Sequence, residues 1–345
     1  TTLRHDVTDI DADGGCIRRR LPIGNVLSCK AFPYTNDHAI DWERGRDLRS
    51  AVGVHLGDES YNIGGLTPYN RKRYFASNPT PVLETTLPKG RWRLVATVQA
   101  VITGHKYWDH FVDVMNPEAI RAFIALTHER YWQRLGTDFG HTVKAIFVDE
   151  VCAAWSALLP PRFQREKGYD ILSRLEAIAD PTHPDHWQVS ADLARVKHLM
   201  FCESFDAPLR DWCRQHGIAY CGEKTSYRFS QLAYMDIPGC EPGHTKAGAD
   251  KVDTLQSLVR GNARATAAAA YFYNKPGALC ECFHSLGWGG TLQDARNIAE
   301  NLVLLGISYL VPHGFFYSTH ALKKHDAPPT FFFQMPYWRF FGALS

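Results

Sequence analysis

No stretch of this 345-residue sequence approaches the run of apolar side chains that a membrane span needs. An excess of one charge is also missing. Lys and Arg together number 38 and Asp and Glu 36, a net +2 with no long basic run, which argues against nucleic acid and membrane surfaces as partners. There is no Gly-x-Ser-x-Gly elbow, no Walker loop and no His-Glu-x-x-His, so the chemistries built on those motifs are set aside. The nine cysteines do not form a zinc pattern: Cys280-Glu281-Cys282 has the wrong spacing, and no second pair lies nearby. An odd number cannot all pair within one chain, and the reading is buried, reduced thiols in a reducing compartment. No signal peptide is visible at Thr1 and the first residue is not Met, so a processed or truncated N-terminus and a cytoplasmic location are expected.

What is present is an ordinary globular composition, 45% hydrophobic and 21% charged, rich in aromatic side chains. Aromatics fill cores, and they also form platforms for the apolar C–H faces of sugar rings. The length suits one large α/β domain with an addition, or two domains. Residues 1–92 read as a β-rich, loop-rich region. Leu21-Pro22-Ile23-Gly24 and Leu87-Pro88-Lys89-Gly90 echo one another there, each a turn leading into a strand. From Arg93 to Ser345 the pattern becomes strand, loop, helix. Strands are expected at Leu94–Val101, Ala145–Val148, Ile218–Cys221, Ala278–Phe283 and Ile307–Val311. Helices are expected after Asn116-Pro117-Glu118, where a cap residue precedes Pro at the first helical position, and over 170–178, 189–215, 252–273 and 292–305. Met235-Asp236-Ile237-Pro238-Gly239 reads as loop.

Buried strands alternating with helices imply a parallel sheet. A (β/α)8 TIM-type barrel fits if its first strands lie in the less regular N-terminal region or are missing; a doubly wound sheet also fits. The polar residues favour the barrel, because Glu150, Glu223, Glu281 and His313 all fall at or just past strand C-termini, where a barrel gathers its catalytic groups.

Glu281 is costly to place on an apolar strand without a reason. It reads as a catalytic carboxylate, or else as a buried Glu paired with Arg264 or Arg296. Glu150, ending Phe147-Val148-Asp149-Glu150, reads as a general acid or as an acceptor for loop amides. Asp149 would then position a substrate or a base. Glu223, beside Lys224, is open to three roles: contact with a ligand hydroxyl, metal ligation or a local ion pair. Glu241 and His244 lie on a Gly/Pro-rich loop able to reach the same face. Trp288 is a stacking platform or a rim residue, and His313 a substrate contact or core filler. His105 and Trp108, in the polar-aromatic run His105-Lys106-Tyr107-Trp108-Asp109-His110, suit a sugar pocket. No cofactor is required. Ca²⁺ is admitted, with Glu223 and Glu241 as the carboxylates it would draw on, although no spaced calcium loop is present.

One ordered set of motifs resembles a known family. It comprises Asp113-Val114-Met115-Asn116-Pro117-Glu118, Thr127-His128-Glu129-Arg130-Tyr131, Ile146-Phe147-Val148-Asp149-Glu150, Gly222-Glu223, Met235-Asp236-Ile237-Pro238-Gly239, Glu281 with Gly287-Trp288-Gly289, and Val311-Pro312-His313-Gly314-Phe315. From about Arg93 to Trp338 this resembles the catalytic barrel of large bacterial glycoside hydrolases of the α-L-rhamnosidase family 106 type and their relatives. The resemblance implies a (β/α)8 barrel, with Glu150 matching the general acid and Glu281 the general base of an inverting mechanism. It also implies calcium near the sugar in some members. The chain departs from the family in length. Further β-sandwich domains are absent or reduced to the N-terminal region, and the sequence stops at Ser345, so an excised piece of a larger enzyme is expected.

The function expected is an exo-acting, rhamnosidase-like glycosidase on plant or microbial oligo- or polysaccharide. Alternatives are a retaining, galactosidase-like enzyme with Glu281 as nucleophile, a non-catalytic carbohydrate-binding pseudoenzyme, and a metal-dependent hydrolase using Glu150, Glu223 and His244.

Overall fold

The computed structural model describes residues 1–36, 38–63, 72–101, 112–224, 228–242, 261–284, 286–314 and 335–343, with side chains omitted for 57–63 and 72–78. They divide into two units, Thr1–Asn116 with Ala154–Met200, and Pro117–Ala153 with Phe201–Ser345.

The first unit is built on strands β1 (Thr2–Ala12), β2 (Cys16–Arg20), β3 (Asn25–Pro33), β4 (Arg46–Asp47), β5 (Val52–Ile63), β6 (Lys72–Thr86) and β7 (Gly90–Ala100). They form two antiparallel sheets, β1-β7-β3-β4 and β2-β6-β5. Both Leu-Pro-x-Gly turns deliver the chain into strands, the first into β3 and the second into β7, and these two strands pair with each other. Alternate β7 residues Trp92, Leu94, Ala96 and Val98 share one core with Cys29 and Ala31 of β3 and Leu83 of β6. Each large apolar side chain buried in this way contributes about 1.5–3 kcal/mol.

The other face of β7 is covered too. Helix α4 (Leu175–Ala179), which follows α3 (Leu159–Lys167), packs across β1, β3 and β7. Arg93 Nη1 meets Asp180 Oδ2 at 3.0 Å, and Lys30 Nζ meets Glu176 Oε2 at 2.9 Å. Val95 and Thr97 are buried on this side.

The second unit holds α1 (Pro117–Leu126), α2 (His128–Leu135), β8 (Ala145–Val148), α6 (Ala207–Gln215), β9 (Ala219–Gly222), β10 (Ile237–Cys240), α7 (Ala263–Phe272), β11 (Leu279–Cys282), α8 (Leu292–Leu304) and β12 (Tyr309–Pro312). Helix α5 (His186–Phe201) precedes α6. The five strands form one parallel sheet in the order β12-β11-β10-β9-β8, each beside its predecessor in the chain. Helix α8 opens on a capping box in which Thr291 and Asp294 satisfy each other's backbone amides.

These strands correct the expected fold. The described residues form two antiparallel sheets and a five-stranded parallel sheet, and not a (β/α)8 TIM-type barrel. The strand at Leu94–Val101, counted toward a barrel as a Val/Ala-rich run, falls on β7. Leu94 and Val95 point to opposite faces and both are buried, because both faces of this antiparallel sheet are covered. Among the described residues the parallel strands run in monotonic order with no reversal, which does not match the doubly wound alternative either. Conversely, β10 was read as loop because Pro and Gly normally mark turns. Gly239 is required there: a Cβ at that position would lie 2.2 Å from the Gly222 carbonyl oxygen.

Candidate functional site

The parallel sheet presents acidic residues past the carboxyl ends of its strands. Asp149 and Glu150 follow β8, Glu223 follows β9, Glu241 follows β10, and Glu281 lies within β11. A carboxylate oxygen from each of Asp149, Glu223 and Glu281 falls within 4.8 Å of the others. Asp149 is exposed, whereas Glu223 is fully buried and Glu281 is 7% exposed. Three carboxylates this close repel one another unless a proton or a cation offsets them. An all-oxygen donor set of this kind suits a hard cation such as Ca²⁺.

The backbone at these strand ends is unusual. Glu150 has φ 49° and Phe283, just past β11, has φ 75°, a left-handed conformation in which side chains other than glycine are uncommon. Gly222 closes β9 at φ 129°, where a Cβ would lie 2.1 Å from the Val148 carbonyl oxygen and 2.5 Å from the Val148 nitrogen. Strands β8 and β9 therefore meet here backbone to backbone. Two hydrogen bonds fasten the junction. The Glu223 amide donates to the Val148 carbonyl at 2.9 Å, and the Glu150 amide donates to Glu223 Oε1 at 2.9 Å. Glu223 thus holds the backbone of Glu150 in its left-handed turn, and the half-buried Glu150 side chain starts from that fixed point. Strained backbone over-determined by its surroundings is characteristic of functional positions.

Glu281 has Cys280 and Cys282 as neighbours, whose thiols burial pushes well above their ordinary range. Arg296, one partner considered for Glu281, pairs with Glu300 at 2.7 Å, and Arg264 is exposed. Lys224 forms a buried ion pair with Asp206. Glu241 pairs with His284 at 3.3 Å, and the His284 ring lies 6.1 Å from that of His313. The His313 amide donates to the Cys282 carbonyl at 2.8 Å, which places His313 at the same sheet edge as Glu281. Trp288 is half exposed in the turn before α8. His105, Trp108 and His244 lie outside the described residues.

Two residues were missed in the sequence. His284 carried a usable signal, standing three positions after Glu281. Asp206 carried none, since it sits inside what reads as one long helix.

No family model matches the sequence, and no curated protein matches it significantly. Among solved structures, a rhamnosidase from Novosphingobium sp. PP1Y is similar at 15% identity and a TM-score of 0.47, over 79% of this chain and 26% of that one. The chain thus spans about a quarter of the length of that protein.

Proposed function

We propose that this chain carries the catalytic site of a glycoside hydrolase that cleaves O-glycosyl bonds of oligo- or polysaccharide from the chain end. The observation that carries this reading is the gathering of Asp149, Glu223 and Glu281 within 4.8 Å at the carboxyl edge of the parallel sheet, with Glu150 fastened beside them. Breaking a glycosidic bond needs a carboxylic acid to protonate the departing oxygen. It also needs a carboxylate to activate water or attack the anomeric carbon. Glu150 is the acid: its side chain is half buried and its backbone is held by Glu223. Glu281, on a strand and nearly buried, is the base of an inverting reaction. If it instead approaches the anomeric carbon directly, it is the nucleophile of a retaining one. The order of motifs from Arg93 to Trp338 supports a rhamnosidase-like sugar, with Trp288 and His313 as contacts at the rim. Asp149, Glu223 and Glu281 are also the residues that would hold a divalent cation, which when bound would offset their charge and order sugar hydroxyls.

A second reading, metal-dependent hydrolysis, is favoured by the same cluster. One experiment separates the two. A panel of aryl rhamnosides, galactosides, arabinosides and glucuronides is incubated with the protein, and the anomer of the released sugar is read by NMR, with and without chelator. The glycosidase reading expects one sugar to be released as a single anomer, and Glu281→Gln to lower turnover at least about 10³-fold while the glycoside still binds. Unimpaired hydrolysis by Glu281→Gln rules the assignment out. Activity that survives the chelator excludes the metal mechanism, and activity lost with chelator and restored by added metal selects it.

A further inference from the structure

Between α5 and α6, Cys202–Asp206 form a π-helical turn. Such turns carry one extra residue and re-aim the side chains around it, often at functional sites. Here the turn places Asp206 at the centre of a buried polar network. One oxygen of Asp206 accepts from the Tyr220 hydroxyl at 2.7 Å and from the Lys224 ammonium; the other accepts from Gln231 Nε2 at 2.6 Å. Asp206, Tyr220 and Lys224 are fully buried, and Gln231 is 1% exposed. The Lys224 ammonium lies 5.3 Å from the ring centre of Phe201, 5.9 Å from Phe205 and 5.6 Å from Tyr220.

A buried ion pair adds little to stability, because the cost of desolvating two charges offsets their attraction, and apolar side chains of similar volume serve a core as well. What such a pair supplies here is a fixed position. Lys224 is bonded directly to Glu223. The two side chains, both fully buried, reach different partners: Lys224 is tied to the π turn, and Glu223 to the Glu150 amide. Tyr220, before this pair, and Gln231, after it, hold the same Asp206 carboxylate.

We propose that Asp206 and Lys224 are positioning residues of the carboxylate site, acting through Glu223 on Glu150. As a statement about catalysis, this rests on the hydrolase reading above. The network clamps the chain on the far side of Glu223 and leaves its carboxylate one geometry in which to hold Glu150.

The test is the double variant Asp206→Asn with Lys224→Met. It removes both charges together and leaves an amide oxygen to accept from Tyr220, while Gln231 can rotate its own amide to match. Two readouts are taken on the full chain: kinetics on the glycoside identified in the panel, and hydrogen exchange of the Glu150 amide by NMR, which needs no substrate. The expected result is a melting temperature near that of the wild type, with kcat lowered about 100-fold, as misplacement by about 1 Å produces. KM should stay within about threefold, and Glu150 amide exchange should be at least about tenfold faster. Wild-type kcat together with wild-type Glu150 exchange overturns the proposal. Faster Glu150 exchange in a protein whose wild type releases no sugar refutes the hydrolase reading and leaves the clamp standing. If the double variant does not fold, Asp206→Glu keeps both charges but moves the carboxylate, and Lys224 with it, by one methylene, and the same two outcomes decide.

Discussion

Replacing Gly222 by Ala separates two effects that usually arrive together. At φ 129° an alanine is strained whatever the space around it, which costs about 1–3 kcal/mol. The added Cβ would also lie 2.1 Å from the Val148 oxygen and 2.5 Å from the Val148 nitrogen. Both contacts are backbone atoms of the neighbouring strand, with no side chain able to swing aside. Strand β9 must move away from β8 by roughly an ångström or more to restore ordinary contact distances. That movement breaks the Glu223–Val148 backbone bond and the Glu150–Glu223 bond, each 2.9 Å long in the native chain. Two such bonds contribute about 0.5–1.5 kcal/mol apiece. The sum is about 2–6 kcal/mol, or at least roughly 30-fold in an opening equilibrium. Gly217→Ala is the control: it lies in the same unit at φ 70° with nothing within 4 Å of a Cβ, so it carries only the backbone term, about 1–2 kcal/mol. Native-state hydrogen exchange of the β8 and β9 amides reads both variants. Exchange in Gly222→Ala no faster than in Gly217→Ala would refute the steric argument.

Two further outcomes follow from the fold. Thr291→Ala removes the side-chain oxygen that accepts from the Asp294 amide in the capping box, and should lower stability by about 1 kcal/mol, checked by thermal unfolding. Alkaline pH should destabilise the chain through its thiols. Burial pushes Cys29, Cys202, Cys213 and Cys221 from 9.0 up to about 12, so the unfolded chain releases these protons first. Stability is then retained below pH 9 and falls as pH rises from 9 to 12, which urea titrations at pH 8, 9 and 10 would follow.

The strands at 145–148, 219–222, 279–282 and 309–312 were legible because each is a short apolar run bounded by turn residues and followed or preceded by a helix. The carboxylates past their ends were legible for the same reason. Apolar continuity, however, reports burial on two faces and says nothing about which partners provide it. Strand β7 was therefore taken for a parallel strand when α4 and an antiparallel sheet cover it. Strand β10 was hidden by the opposite effect. Pro238 and Gly239 look like a turn until the approach of Gly222 is known, and that approach is a three-dimensional fact. The helix expected over 189–215 is interrupted by the π turn at Cys202–Asp206, where the apolar spacing stays helical to the eye. That single inserted residue hid Asp206, and with it the partner of Lys224.

The glycine seam along β8, β9 and β10 bears on how this chain could change over evolutionary time or be redesigned. Gly222 and Gly239 are fixed by backbone approaching backbone, so no compensating side-chain substitution nearby would admit another residue at either position. Carboxylates past a strand end answer to looser rules, since a loop can lengthen and bring in a substitute. Variation should therefore collect in the segments that follow Glu223, Glu241 and Glu281, while the two glycines stay put. A designer seeking a new specificity would keep the seam and rewrite those segments. A search for distant relatives would weight Gly222-Glu223-Lys224 and Pro238-Gly239-Cys240 above the acidic residues taken alone.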